Sequence, residues 1–161
     1  MTDIFRGGYA ARQMEITGNV GTLIRSKGGH VWSLPPSASV YDAIAMMAEK
    51  QVGALLVMEG PRLVGIVSER DYARKVILQG RSSKDTPVAE IMSSPVITVT
   101  PVHSVGECMQ IVTENRIRHL PVVERDQVTG MVSIGDLVNW VVSEQQATIR
   151  HLEAFIAGVA S

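Results

Sequence analysis

The sequence holds one cysteine, Cys108, in 161 residues. A lone thiol excludes an internal disulfide and leaves no Cys-x-x-Cys pair. Aromatic residues are scarce, 4% against 45% apolar overall, so the core must be aliphatic: Val, Ile, Leu, Met and Ala. No apolar run approaches the roughly 20 residues of a membrane span, so no membrane partner is expected. A surplus of either charge is missing too, with 15 Lys and Arg against 16 Asp and Glu for a net charge of −1. That balance argues against the clustered basic surface of a nucleic-acid binder, while allowing a local basic pocket. The first 20 residues contain Asp3 and Glu15 and no apolar stretch of signal type. No secretory signal is expected, and a cytoplasmic protein is the default expectation.

Catalytic constellations are lacking as well. His30, His103, His119 and His151 fall at no metal-ligand spacing, and no metal site is expected. Gly60 and Gly65 have phosphate-loop spacing, but Ile66 follows where that loop requires a lysine. Cys108 lies mid-helix on a pattern position shared with Ala43 and reads as core. No catalytic residue is assigned, and an enzyme is not expected.

What is present is a repeat. Shifted by 65 residues, segment 31–76 lies on 96–141 without a gap. Identities include Val31/Val96, Pro36/Pro101, Ser39/Ser104, Leu55/Leu120, Gly65/Gly130, Ser68/Ser133 and Asp71/Asp136. The organising stretch is Gly65-Ile66-Val67-Ser68-Glu69-Arg70-Asp71, returning as Gly130-Met131-Val132-Ser133-Ile134-Gly135-Asp136. Each copy is a β-prone run, then a hydroxyl, then an Asp where a helical pattern begins. A Ser there caps the free N–H groups of the helix start. The same N–H groups and the positive helix end suit phosphate. The Asp one turn later can accept hydrogen bonds from the vicinal hydroxyls of a ribose. Capping alone is the other reading of the same residues.

Read in order, residues 1–30 are an arm of weak periodicity over 1–17, then a short helix over 18–27 ended by Gly28-Gly29. Lys27 is placed either near a phosphate or in solvent. Unit 1 spans 31–79: strand Val31–Leu34, helix Val40–Lys50 capped by Ser39, strand Gly53–Met58, turn 59–62, strand Leu63–Val67 and a helix from Glu69 to near Gly80. Residues 80–95 are a polar linker with a short helix after Pro87. Unit 2 spans 96–142: strand Val96–Val99, helix Ser104–Asn115, strand His119–Val123, turn 124–127, strand Val128–Val132 and a last helix from about Ile134. Each unit is β-α-β-β-α. The helix continues as an extension over 143–161, with a narrow apolar stripe through Leu137, Val141, Thr148, Leu152 and Phe155 that packs back on the domain or meets a partner helix.

Unit 2 carries Arg116-Ile117-Arg118-His119-Leu120-Pro121 at the start of a core strand. An Arg fork pairs well with phosphate. The hairpin sets this strand beside the Ser133 turn, so basic groups and helix N-terminus converge. Unit 1 has Gly53-Ala54 at the equivalent place, giving room for a flat ring but no charge, and Arg70, in the first copy of the motif, is the candidate to supply it. The second unit is expected to be the better phosphate site.

The sequence resembles the cystathionine β-synthase (CBS) domain family, as a stand-alone tandem pair, over roughly residues 20–142. The features are the two Gly-hydrophobic-Val-Ser-x-x-Asp motifs, the His119-Leu120-Pro121-Val122-Val123 strand, and Pro87-Val88-Ala89-Glu90-Ile91-Met92 ahead of Val96-Ile97-Thr98-Val99. The resemblance implies a mixed α/β (α+β) fold of two units packed sheet to sheet about a pseudo-twofold, often dimerised into a flat disc. It implies adenosyl ligands between the units: AMP, ADP, ATP, S-adenosylmethionine or a dinucleotide such as NAD. By position, Asp71 and Asp136 would hold ribose hydroxyls, with Ser68 and Ser133 by the phosphate or ribose. Ser33 and Thr98 would line the two clefts, Ile117 and its neighbours, including Leu120 and Pro121, would flank adenine, and Arg118 and His119 would face phosphate. Similar short pairs include plant organellar proteins that act on thioredoxins, an implied partner class.

The function expected is thus a regulatory adenine-nucleotide sensor, AMP first, acting on a dimer surface or a regulated enzyme. The alternative is a ligand-independent interaction or dimerisation module using the terminal helix.

Overall fold

The computed structural model describes residues 16–160. The arm expected over 1–17 therefore lies outside the described residues except for its last two. Helix α1 (Val20–Lys27) starts where the Asn19 side chain accepts the Thr22 N–H at 2.9 Å and ends at Gly28, whose φ of 93° suits glycine. Strand β1 (Ser33–Leu34), helix α2 (Val40–Lys50), strands β2 (Ala54–Glu59) and β3 (Arg62–Ser68) and helix α3 (Glu69–Tyr72) make the first unit. From Ala73 to Ile77 the last helix widens into a π-helical turn. After the 3-10 turn Val88–Glu90 come α4 (Val105–Asn115), β4 (His119–Glu124), β5 (Gln127–Ser133) and α5 (Ile134–Ala160).

The repeat is visible bond by bond. Ser39 and Ser104 cap α2 and α4 by accepting the N–H groups of Asp42 and Glu107. Both helices end on a left-handed residue, Gln51 and Arg116. Both hairpins, β2–β3 and β4–β5, are antiparallel with one irregularity in the register, after Val57 and after Val122.

The first sheet has a third strand, β1, parallel to β2. The second does not. The strand expected over 96–99 contracts to a single parallel bridge, Val99 to Val122. The repeat explains the difference. In unit 1 the Leu56 N–H donates to the Trp32 carbonyl at 3.1 Å. The equivalent donor in unit 2 would be residue 121, a proline without an N–H.

Each unit is completed by the segment that precedes the other. Helix α1 runs ahead of unit 1 but packs on unit 2. The Val20 and Gly21 N–H groups donate to the carbonyls of His103 and Pro101 at 2.9 Å, and Val20 and Leu23 join the core of Val105, Cys108, Leu120, Val132 and Leu137. Residues 88–92 run ahead of unit 2 but seal unit 1, where Val88 and Ile91 pack with Leu34, Val40, Val57 and Val67. The motif glycines are the seats for this exchange. A Cβ on Gly130 would lie 2.9 Å from Ile24 Cδ1, and one on Gly65 would lie 2.8 Å from Met92 Cγ. Among the described residues, no helix is long and apolar enough to cross a membrane.

Candidate functional site

The two hairpins bring the repeated turns face to face. The Glu69 N–H donates to the Gly53 carbonyl at 3.1 Å, and the Ile134 N–H to the Arg118 carbonyl at 2.9 Å. These equivalent bonds tie the end of each hairpin to its start. His119 pairs in register with Ser133. Between the units opens a cleft of 630 Å³ lined by both turns.

Its charge comes from both halves. Unit 1 contributes Arg70, Arg74 and Lys75; unit 2 contributes Arg116, Arg118 and His119. Against these five permanent cations stand two lining carboxylates, Glu69 and Asp71. Ile66, Val96, Ile97, Ile117 and Ile134 supply apolar wall. An anion with a flat apolar part fits such a lining, since forked guanidinium groups bind phosphate oxygens in pairs. Beside Arg70, the residues Arg74 and Lys75 of the π-helical turn also line the cleft, so unit 1 contributes cations as well as unit 2.

Both serines cap helices in full. The Ser68 N–H and hydroxyl donate to Asp71 Oδ2 at 2.9 Å, and the Asp71 N–H donates back to Ser68 Oγ at 3.2 Å. The Ser133 N–H donates to Asp136 Oδ2 at 2.8 Å, with the return bond at 3.1 Å. Each Asp also holds a lysine. Lys75 Nζ lies 3.0 Å from Asp71 Oδ1, and Lys27 Nζ lies 2.5 Å from Asp136 Oδ2 while donating to the Met131 carbonyl. Burial opposes ionisation of Asp136, but Lys27 and the Ser133 N–H outweigh it and hold the carboxyl below its ordinary value. His119 goes the other way for a base: burial, then the Arg118 charge, lowers its pKa and favours the neutral ring.

Eight of the residues expected at the site line this one cleft: Gly53, Ser68, Arg70, Asp71, Ile117, Arg118, His119 and Ser133. The others lie elsewhere. Leu120 is part of the core of unit 2, and Ala54 and Pro121 are buried on their strands. Lys27 and Asp136 pair with each other outside the cleft lining. Ser33 is exposed on β1, and Thr98 borders a separate depression with Pro36, Met92 and Val123. In the opening segment of unit 2, the neighbour Ile97 takes the place by the cleft. Arg74, Lys75 and Ile97 were not singled out from sequence. Arg74 follows Arg70 by one helical turn, a spacing that places both on one face.

A model of the CBS domain family matches residues 22–77 and 88–143. The mitochondrial CBS domain-containing protein CBSX3 of Arabidopsis thaliana is 50% identical over 125 residues, covering 74% of this chain. The chain spans 61% of the length of that relative. A solved structure of a protein with CBS domains from Burkholderia ambifaria is 49% identical, with a TM-score of 0.77 over 80% of this chain and 96% of the other. A CBS domain protein from Pyrobaculum aerophilum, solved in complex with AMP, is 28% identical, with a TM-score of 0.66 over 74% of this chain and 89% of the other.

Proposed function

The chain belongs to the CBS-domain family as a tandem pair, and on that premise we propose that it is a non-catalytic regulatory module that binds an adenine nucleotide, AMP first, in the cleft between its units. The observation that carries this reading is the convergence of cations from both units on one cleft beside apolar wall. Arg118 and Arg70 take the phosphate, from opposite sides. Ile117, with Ile97 and Ile134 nearby, flanks the base. Asp71 lines the cleft and, with lone pairs to spare beyond its cap and its lysine, accepts from ribose hydroxyls. Asp136, paired to Lys27, accepts the Ser133 N–H at the start of α5. Support from outside the chain is the AMP complex of the Pyrobaculum relative.

A ligand that touches both units changes their arrangement only through its unequal affinity for the alternatives. A coupling of about 1–3 kcal/mol suffices for regulation. The test is titration calorimetry with AMP, ADP, ATP, NAD and S-adenosylmethionine, with adenosine and inorganic phosphate as controls. AMP is expected to bind, adenosine to bind at least tenfold more weakly, and Arg118→Ala and Arg70→Ala each to weaken AMP. Absence of binding by every adenosyl compound overturns the reading.

A further inference from the structure

His119 stands where the two units meet. On β4 its neighbour Leu120 faces the second core, so the alternation of the strand turns His119 to the seam. A Cβ on Gly53 of unit 1 would lie 3.8 Å from Cε1 and Nε2 of the ring, and 3.9 Å from Oε2 of Glu69. The imidazole of one unit and a carboxylate of the other thus flank one glycine. The repeat places Ala54 at the matching position of unit 1, so the ring has no twin.

Its chemistry differs from the rest of the lining. His30, His103 and His151 stand off the cleft, and the other ionisable groups that line it are arginines, a lysine and two carboxylates. His119 is the lining group whose ordinary pKa lies near neutrality. Among the described residues the ring has no hydrogen-bond partner, and no unpartnered side-chain nitrogen is sealed from solvent. The ring nitrogens are therefore open to the cleft and to what enters it.

The charges around it come from every side. Arg118 precedes it in the chain, Lys27 and Asp136 act on it from α1 and α5, and Glu69 faces it from α3. Arg70, Arg74, Lys75 and Arg116 line the same space. Five permanent cations against Glu69 and Asp71 leave the cleft positive, and burial adds to the cost of a further cation. The ring is held neutral in that field. A phosphate monoester brings about two negative charges at pH 7 and reverses the balance that His119 meets. An opposite charge within about 4–6 Å favours the protonated ring.

We propose that nucleotide binding in the cleft takes up a proton at His119, so that the site reads pH together with nucleotide. This rests on the cleft being the nucleotide site. By linkage, affinity for a phosphorylated ligand rises as pH falls through the pKa of His119 in the complex, and levels off below that of the free protein. Adenosine, which has no phosphate, carries no such dependence.

The experiment follows the Cε1–H resonance of His119 by NMR on the full chain from pH 8.5 to 5, assigned by its absence in His119→Gln. It is run without nucleotide, with saturating AMP and with saturating adenosine. AMP is expected to raise the proton affinity of the ring at least tenfold, and adenosine to leave it in place. Calorimetry in buffers of differing ionisation enthalpy is the second measurement. Wild type is expected to take up protons with AMP at pH 7 and to bind it at least threefold more tightly at pH 6.5 than at pH 8. In His119→Gln the uptake is lost and the affinity changes less over that interval; the phosphate's own ionisation near about pH 6 is common to both proteins. AMP that binds without moving His119, or adenosine that moves it equally, overturns this inference and leaves the nucleotide site standing. No binding by any adenosyl compound removes the site itself, and this inference with it.

Discussion

Lys27 Nζ lies 2.5 Å from Asp136 Oδ2, across 109 residues of chain. One residue ends the helix that precedes unit 1; the other sits in the first turn of the last helix of unit 2. The ion pair is the polar counterpart of the apolar exchange in which Ile24 covers Gly130.

Lys27→Met is expected to cost roughly 0.5–1 kcal/mol at pH 7, because the pair is partly solvated and screened. The Asp136 carboxyl lies below its ordinary value in the folded chain. Stability linked to it is complete above the ordinary carboxylate pKa of about 4 and is lost as pH falls through the folded value. The gap between wild type and variant should therefore narrow below about pH 4. Urea denaturation on either side of that pH measures it; an unchanged gap assigns Lys27 a packing role only.

For His119 the pH dependence has the same sign but a different cause, since here the neutral form is favoured. Its pKa is lowered in the folded chain, first by burial and then by Arg118. The unfolded chain takes up a proton near the ordinary value of about 6.5, before the folded one does. The contribution is complete above that value and is lost as pH falls from it toward the folded pKa. Without nucleotide, the melting temperature is expected to drop from pH 7.5 to 5.5, and to drop less in His119→Gln. Equal slopes in the two proteins would show that other groups carry the acid sensitivity.

Gly65→Ala is expected to destabilise by about 1–3 kcal/mol, as an added methyl forces Met92 from its seat. In a Met92→Ala background the same change should cost less, since the two residues share one space. A double-mutant cycle by denaturation reads the coupling. Additive costs would mean that the glycine serves the backbone and leaves no special room for Met92.

Cys108 is fully buried, and burial with the nearby Glu107 charge pushes its thiol up to about 11. At pH 8 almost none is thiolate, so the folded protein should not react with a thiol-specific reagent over the time in which denatured chain is labelled completely. Rapid labelling of the folded form would show that the second core opens locally.

Much of this molecule was legible in order along the chain. The ungapped repeat, the serine caps of α2 and α4, the two hairpins and the aliphatic core follow from spacing and residue type, because capping and amphipathic periodicity act within a few residues. So does the motif that marks both turns. Tertiary structure alone decided which of those residues share a space. It buried Ala54, Leu120 and Pro121 and put Arg74, Lys75 and Ile97 beside the cleft. It also drew Lys27 and Asp136 together away from it, and seated each unit's preceding segment on the other unit. Those relations join residues tens of positions apart, and they exist only once two separate cores have closed against each other. No local pattern encodes the distance between two faces that meet only after folding.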